Sequence, residues 1–142
     1  MNINSLSQKY SVRKLDENDV DIIYDMSCKN DIFYQYHPPF VTRESILDDM
    51  GALPPGKGYD DKFYVGFFEN DSLVGLMDLI LDYPEKEISF IGLFMTDTRY
   101  QNRGVGSQII SDMIPCLKSY GYQEIQLGVD KGNPQSYSFW IK

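Results

Sequence analysis

The chain is poor in the residues that metal, redox and polyanion chemistry need. Of 142 residues one is histidine, His37, and two are cysteine, Cys28 and Cys116. Neither cysteine lies in a C-x-x-C pair, and three scattered side chains cannot supply a zinc or iron–sulfur cluster, so no metal is expected. Two lone cysteines read as buried thiols of a reducing compartment, not as a disulfide framework. Basic residues are also scarce: 13 Lys and Arg against 21 Asp and Glu leave a net charge of −8. That excludes a general binder of nucleic-acid backbones, which needs clustered positive charge. One small phosphate site made of main-chain amides needs no such excess and stays open. Long apolar runs are missing, so no membrane span is expected. The stretch MNINSLSQKYSVRKL lacks the apolar block of a secretory signal,. The expected location is the cytoplasm, where Asn70-Asp71-Ser72 is a turn and not a glycosylation site.

What the chain does have is core material: 42% of it is hydrophobic and 14% aromatic. That suits one domain over residues 1–142. Tyr10 to Leu15 alternates and predicts a first strand. Asp16 or Asn18 can cap a helix with Val20, Ile23 and Met26 on one face. FYQYHPPF, broken by Pro38 and Pro39, is an aromatic loop. Thr42, with Ser45 three residues on, opens a second short helix carrying Ile46, Leu47 and Met50. Three strands follow, KFYVGFFEN, LVGLMDLIL and EISFIGLFMT, joined at Asn70-Asp71 and through DYPEKE,. Val105, Ile109, Met113 and Leu117 recur every four residues and predict a long helix, which Pro115 should kink. QEIQLGVD is a further strand. Asn133 and Pro134 predict the cap and first position of a last helix. The order β, α, α, β, β, β, α, β, α implies an α/β (α+β) fold. Its sheet is mixed and mostly antiparallel, with one parallel pair and helices packed on it.

The stretch with the most chemical information is RYQNRGVGSQII, Arg99 to Ile110. A strand ends near Thr96, a glycine-spaced turn follows, and a helix begins. Amides at a helix start have no partner inside the helix, and the dipole adds positive charge there. Glycines remove side chains that would keep an anion away. The turn is therefore a phosphate cradle, with Arg103 adding a cation and Ser107 a hydroxyl. A plain strand-to-helix turn accounts for G-x-G equally well when the turn is taken alone.

Q-x-x-G-x-G after SFIGLFMT and before an amphipathic helix resembles the acyl-CoA loop of the GNAT acetyltransferases. Downstream, Asn133, Ser136, Phe139 and Trp140 resemble a second signature of that family, and the element order is similar from Tyr10 to Lys142. The resemblance implies a twisted sheet with helices on both faces. Acetyl-CoA would lie where the fourth and fifth strands splay apart. Its pantetheine arm would pair with the backbone of Phe94, Met95 and Thr96. Its pyrophosphate would lie on the amides of Gln101, Asn102, Arg103, Gly104, Val105, Gly106 and Ser107, with Asn133 near the pantetheine and Phe139 and Trp140 against the cofactor or the core. The implied activity is direct acetyl transfer to a primary amine of a small molecule or peptide.

The chain departs from the family in two places. Relatives carry a tyrosine acid where this chain has Trp140, which leaves Tyr137, one turn earlier on the expected helix, as the acid. Relatives also continue with two more strands, so the domain reads as shortened. The strand EIQLGV would then be an exposed edge through which a homodimer could form. For the base, Asp78, Asp82, Glu87 and Asp97 lie on or beside the middle strands. Glu87 is the choice among them, with a water relay equally open. Phe33, Tyr34, Tyr36 and His37 are the expected acceptor wall, and the acidity of the chain favours a cationic acceptor.

Two other readings stand beside this one: a non-catalytic acyl-CoA-binding or regulatory domain, and an interaction protein pairing through its edge strand. GALPPGKG, Gly51 to Gly58, mimics a nucleotide-binding loop, but Gly58 stands where a magnesium-binding hydroxyl is needed and no strand precedes it,.

Overall fold

Three long strands in the middle of the chain set the sheet. In the computed structural model, which describes residues 1–29, 41–100, 104–127 and the backbone of 137–140, these are β2 (Lys62–Glu69), β3 (Ser72–Leu81) and β4 (Ile88–Thr96). Their β-branched and aromatic residues suit a pleated surface buried on both sides. β1 (Ser11–Lys14) pairs antiparallel with β2. Asn70, at φ 55°, turns β2 into β3. β5 (Glu124–Leu127) lies parallel to β4, and β6 (Tyr137–Trp140) lies antiparallel to β5. The sheet order is β1-β2-β3-β4-β5-β6.

Helices cover both faces. On one face lies α3 (Val105–Ser119), which presents the expected stripe of Val105, Ile109, Met113 and Leu117, all buried against Val65, Phe67, Met77, Leu79 and Ile91. Leu6, from a 3-10 turn at Ile3–Leu6, joins this core. The helix runs through Pro115, which is exposed, so the Ser111 carbonyl left without its amide lies on a face that water reaches,. On the other face lie α1 (Val20–Ser27) and α2 (Arg43–Gly51), whose Val20, Ile23, Met26 and Ile46 pack with Tyr64, Phe68, Leu76 and Met95. Leu47, on the same helix as Ile46, is 46% exposed.

Both helices near the N-terminal half start on side-chain caps. Asp16 accepts from the Asn18 amide and opens the 3-10 turn that leads into α1. Thr42 and Ser45 exchange hydrogen bonds at α2, 3.0 Å and 2.9 Å long. This is the capping box that the spacing predicted.

The end of the chain differs from the sequence expectation. Tyr137–Trp140 is a strand, with Tyr137 opposite Leu127 and Trp140 opposite Glu124. The Asn-Pro start favoured a helix locally, but Tyr-Ser-Phe-Trp has strong strand preference and the edge of β5 offers unpaired backbone groups to satisfy it. β5 is therefore paired on both sides. Over Glu124–Leu127, the edge on which a homodimer was expected to form is covered by β6.

Candidate active site

Helix α3 begins on Gly104, whose φ of 75° and ψ of 12° lie in the left-handed region that favours glycine,. The first helical bond, Gln108 N–H to the Gly104 carbonyl, is 2.9 Å. Gly104 has no side chain to cap the amides that follow, unlike Asp16 and Thr42. Val105, Gly106 and Ser107 thus form the positive end of a 15-residue helix with no capping oxygen supplied by its N-cap residue,.

A cavity of about 470 Å³ opens beside this helix start. α3 lines it with Gly106, Ser107, Ile110 and Ser111, β4 with Ile91 and Phe94, and β5 with Leu127. Gly106 matters by what it lacks. A Cβ there would lie 3.6 Å from Phe94 Cε2 and 3.9 Å from Thr96 Cγ2, at the entrance between helix and strand. The lining is mostly apolar with two hydroxyls, a surface for a thin, partly polar chain.

Over the described part of β5, β4 and β5 pair from Ile88 opposite Glu124 to Ile91 opposite Leu127, and β4 continues to Thr96. At the same point β4 carries a bulge. Asp78 lies opposite Leu93 and Leu79 opposite Ile91, so Gly92 is the extra residue,. The bulge resets which face each side chain meets. Ile91 and Phe94 turn toward α3, whereas Leu93 and Met95 turn toward the core under α1 and α2. Of the residues expected along the pantetheine, Phe94 lines the cavity, Met95 is buried on the opposite face, and Thr96 borders Gly106.

The four acidic residues named from the sequence fall into different settings. Asp97 closes the end of β4, its amide donating to the Val74 carbonyl and its carboxylate accepting from the Arg99 amide and guanidinium at 2.9 to 3.1 Å. Burial pushes the Asp97 carboxyl up, but the hydrogen bonds and charge of Arg99 outweigh it and hold the pKa below the usual range,. Asp82 accepts from the Glu87 amide and from the Tyr122 hydroxyl. Glu87 is exposed in the turn before β4, at φ 69°, and accepts from Gln123 Nε2 at 3.0 Å. It does not line the cavity.

Asp78 is different. Its Oδ2 accepts from Lys62 Nζ at 2.8 Å, and its Oδ1 is buried with no hydrogen-bond partner. Lys62 Nζ also donates to the carbonyls of Asp49 and Ala52 at the end of α2. Burial raises the Asp78 pKa against the pull of Lys62. The sequence analysis did not single out Lys62, because its partners lie at distant positions in the chain. The Lys57 of GALPPGKG holds the Asp82 carbonyl and the Asp61 carboxylate, at the surface of a turn.

With this geometry in hand, the sequence matches the acetyltransferase (GNAT) family over residues 24–142. The chain belongs to the GNAT family. No curated protein matches the sequence at a significant level. Among solved structures, an acetyltransferase from Thermus thermophilus is similar at a TM-score of 0.70 and 19% identity, over 84% of this chain and 75% of that one. The RimL ribosomal L7/L12 alpha-N-protein acetyltransferase, solved with coenzyme A, is similar at 0.71 and 13% identity over 96% of both chains. The PaiA N-acetyltransferase of Thermoplasma acidophilum, also solved with coenzyme A, is similar at 0.59 and 15% identity, over 86% of this chain and 80% of that one. At these identities the likeness shows the fold.

Several expected GNAT site residues lie outside the described residues: Phe33, Tyr34, Tyr36, His37, Gln101, Asn102, Arg103 and Asn133. Tyr137 and Phe139 stand on β6 and not on a helix, Tyr137 at the register position opposite the cavity residue Leu127. Among the described residues no cluster of three or more His, Cys, Asp or Glu could hold a metal, and no helix is long and apolar enough to cross a membrane.

Proposed function

We propose that this GNAT chain is a cytoplasmic N-acetyltransferase that moves acetyl from acetyl-CoA directly to a primary amine of a small molecule or peptide. The observation that carries the reading is the start of α3 at Gly104, an N-cap residue that supplies no side-chain oxygen, set against the cavity lined by α3, β4 and β5. The amides from Gln101 to Ser107 would take the pyrophosphate, with Arg103 beside it. The pantetheine would lie along Phe94, Met95 and Thr96 like an added strand, with Asn133 and Phe139 on its far side. Two structural neighbours solved with coenzyme A support this use of the fold.

Direct transfer needs little else. Holding amine and thioester in one cleft removes the entropy cost of their meeting. A main-chain N–H of β4 would polarise the thioester carbonyl. Thiolate is a tolerable leaving group, so Tyr137 or water would suffice as the acid. The net charge of −8 favours approach of a cationic acceptor,.

Calorimetric titration with acetyl-CoA beside ATP tests the cradle, and thiol release with amines present tests turnover. Saturable acetyl-CoA binding, silence toward ATP and amine-dependent thiol release are expected. Binding without thiol release from any amine would instead favour a non-catalytic acyl-CoA-binding domain. Failure to bind by the folded chain would overturn both.

A further inference from the structure

A second cavity, of about 460 Å³, shares no residue with the one beside α3. Three separate segments build it: the turn from β1 into α1, the second half of α2, and the 3-10 turn Tyr59–Asp61 before β2. Leu15, Leu47, Met50 and Tyr59 give it apolar surface, and Asp16 and Glu17 give it carboxylates. Leu15 and Met50 belong to the core under α1 and α2, so this groove lies on the face of the sheet opposite α3.

Its apolar residues are ones that folding leaves in water. Among the described residues, four large apolar or aromatic side chains are exposed: Ile22, Leu47, Tyr59 and Tyr120. Two of the four, Leu47 and Tyr59, meet in this groove, at 46% and 63% exposure. Tyr59 is also held in place. Its hydroxyl donates to the Gly51 carbonyl at 2.8 Å, which ties the ring to the end of α2 while most of it faces water. A side chain fixed in this way has less freedom left to lose when a partner covers it. Exposed apolar surface rimmed by polar groups marks an interaction site.

The charge in the groove has one sign. Asp16 accepts from the Asn18 amide through one oxygen, Oδ1, and Glu17 has no ion pair or hydrogen bond among the described residues. Asp48 and Asp60, next in the chain to Leu47 and Tyr59, are exposed as well. The cations on these elements are engaged by other carboxylates: Arg13 by Asp19, Arg43 by Asp21, Lys57 by Asp61 and Lys62 by Asp78. Among the described residues no Lys or Arg lines the groove.

A cationic occupant with apolar parts is the complement of this surface. A small-molecule site buries about 70–90% of its ligand, whereas Leu47 and Tyr59 stand at an open rim,. A segment of chain, which brings several side chains at once, suits such a rim better. We infer that this groove docks a basic segment of a partner protein, in which an arginine or lysine adjoins an apolar residue. The cation pairs with Asp16 or Glu17 and stacks on the Tyr59 ring, and its apolar neighbour covers Leu47 and Met50.

The test is fluorescence anisotropy with a short labelled peptide of alternating Arg and Leu, blocked at its N-terminus so that it carries no primary amine to be acetylated. Saturable binding is expected, weakened by salt and unchanged by added acetyl-CoA. Glu17→Lys and Tyr59→Ala are each expected to weaken it at least about fivefold, whereas Glu69→Lys, the same charge change at the turn between β2 and β3, stays within about twofold. A matched peptide of Arg and Ser is expected to bind at least about fivefold more weakly than the peptide of Arg and Leu. No saturable binding would overturn the proposal. Equal affinity for the two peptides, or equal losses in Glu17→Lys and Glu69→Lys, would reduce it to attraction toward an acidic surface and overturn the groove. Displacement by acetyl-CoA would put the peptide in the cavity beside α3 and overturn it too. Spermidine that displaces the peptide at equal concentration would make the occupant a free polyamine and overturn the partner segment. If Tyr59→Ala does not fold, Leu47→Gln on the surface of α2 carries the same expected loss, and unchanged affinity there overturns the proposal.

Discussion

Lys62 Nζ lies 2.8 Å from Asp78 Oδ2 and within 2.9 Å of the Asp49 and Ala52 carbonyls, with 3% of its side chain exposed. One ammonium thus joins β2, β3 and the end of α2. It neutralises a buried carboxylate and receives the negative end of a helix dipole at once. Lys62→Met is expected to cost about 3–5 kcal/mol in urea unfolding, because it strands Asp78 as an uncompensated charge. In the double variant Lys62→Met with Asp78→Leu, much of that loss is expected to return, since no buried charge remains. A double variant no more stable than the single one would show that the two carbonyl bonds, not the ion pair, carry the cost.

Gly104 is a binding element through its backbone. Nothing lies within 4 Å of a Cβ placed there, so the penalty of a side chain is conformational and not steric. Gly104→Val forces a β-branched residue to φ 75°, costing about 1–2 kcal/mol or disturbing the first turn of α3,. Acetyl-CoA affinity is expected to fall at least about tenfold if the turn moves, since each tenfold is 1.4 kcal/mol. Gly104→Asn, which tolerates the left-handed region, is expected to keep more of both stability and affinity. Calorimetric titration and urea unfolding of the same samples separate the two effects.

How much of this was legible in the sequence depends on whether the signal is local. The Thr42 and Ser45 box, the Asn70 turn and the four-residue stripe of α3 are written in neighbouring residues, and all three appear. The Gly92 bulge is not, because a glycine in a strand becomes a bulge only through the register of its partner, here Asp78 to Leu93. Lys62 heads a strand and reads as a solvated charge until α2 folds back over it. Asn133 and Pro134 predicted a helix by local preference, and the open side of β5 overrode that preference for Tyr137–Trp140.

Acid sensitivity follows from carboxylates whose pKa values are lowered, Asp19 and Asp97 among them. Arg13 donates to both oxygens of Asp19, at 2.9 and 2.8 Å, and this bond lowers the Asp19 pKa. Asp97 is lowered by Arg99 against its own burial. A carboxyl lowered by folding stabilises above its unfolded value, about pH 4, and loses that contribution as pH falls through the folded value. Asp78 is raised and acts with the opposite sign: its contribution is present at low pH and is lost as pH rises through its folded value. The urea midpoint is therefore expected to drop below about pH 4 in wild type and to drop less steeply in Asp19→Asn. Equal slopes in the two proteins would mean that the Arg13–Asp19 pair is equally formed in the unfolded chain.

Gly106 separates folding from binding. Its Cβ position faces Phe94 and Thr96 at 3.6 to 3.9 Å, ordinary contact distances, so Gly106→Ala is expected to fold with near-wild-type stability. An alanine is also the better helix former by up to about 1 kcal/mol, which offsets any local adjustment. A larger side chain has one place to go, the cavity between α3, β4 and Leu127. Gly106→Leu is expected to fill that space, to unfold at a midpoint close to wild type, and to lose saturable acetyl-CoA binding in calorimetry. Retained affinity in a folded Gly106→Leu protein would mean that the acyl-CoA arm does not pass between Phe94 and Gly106, and the cleft would have to be sought on another edge of β4.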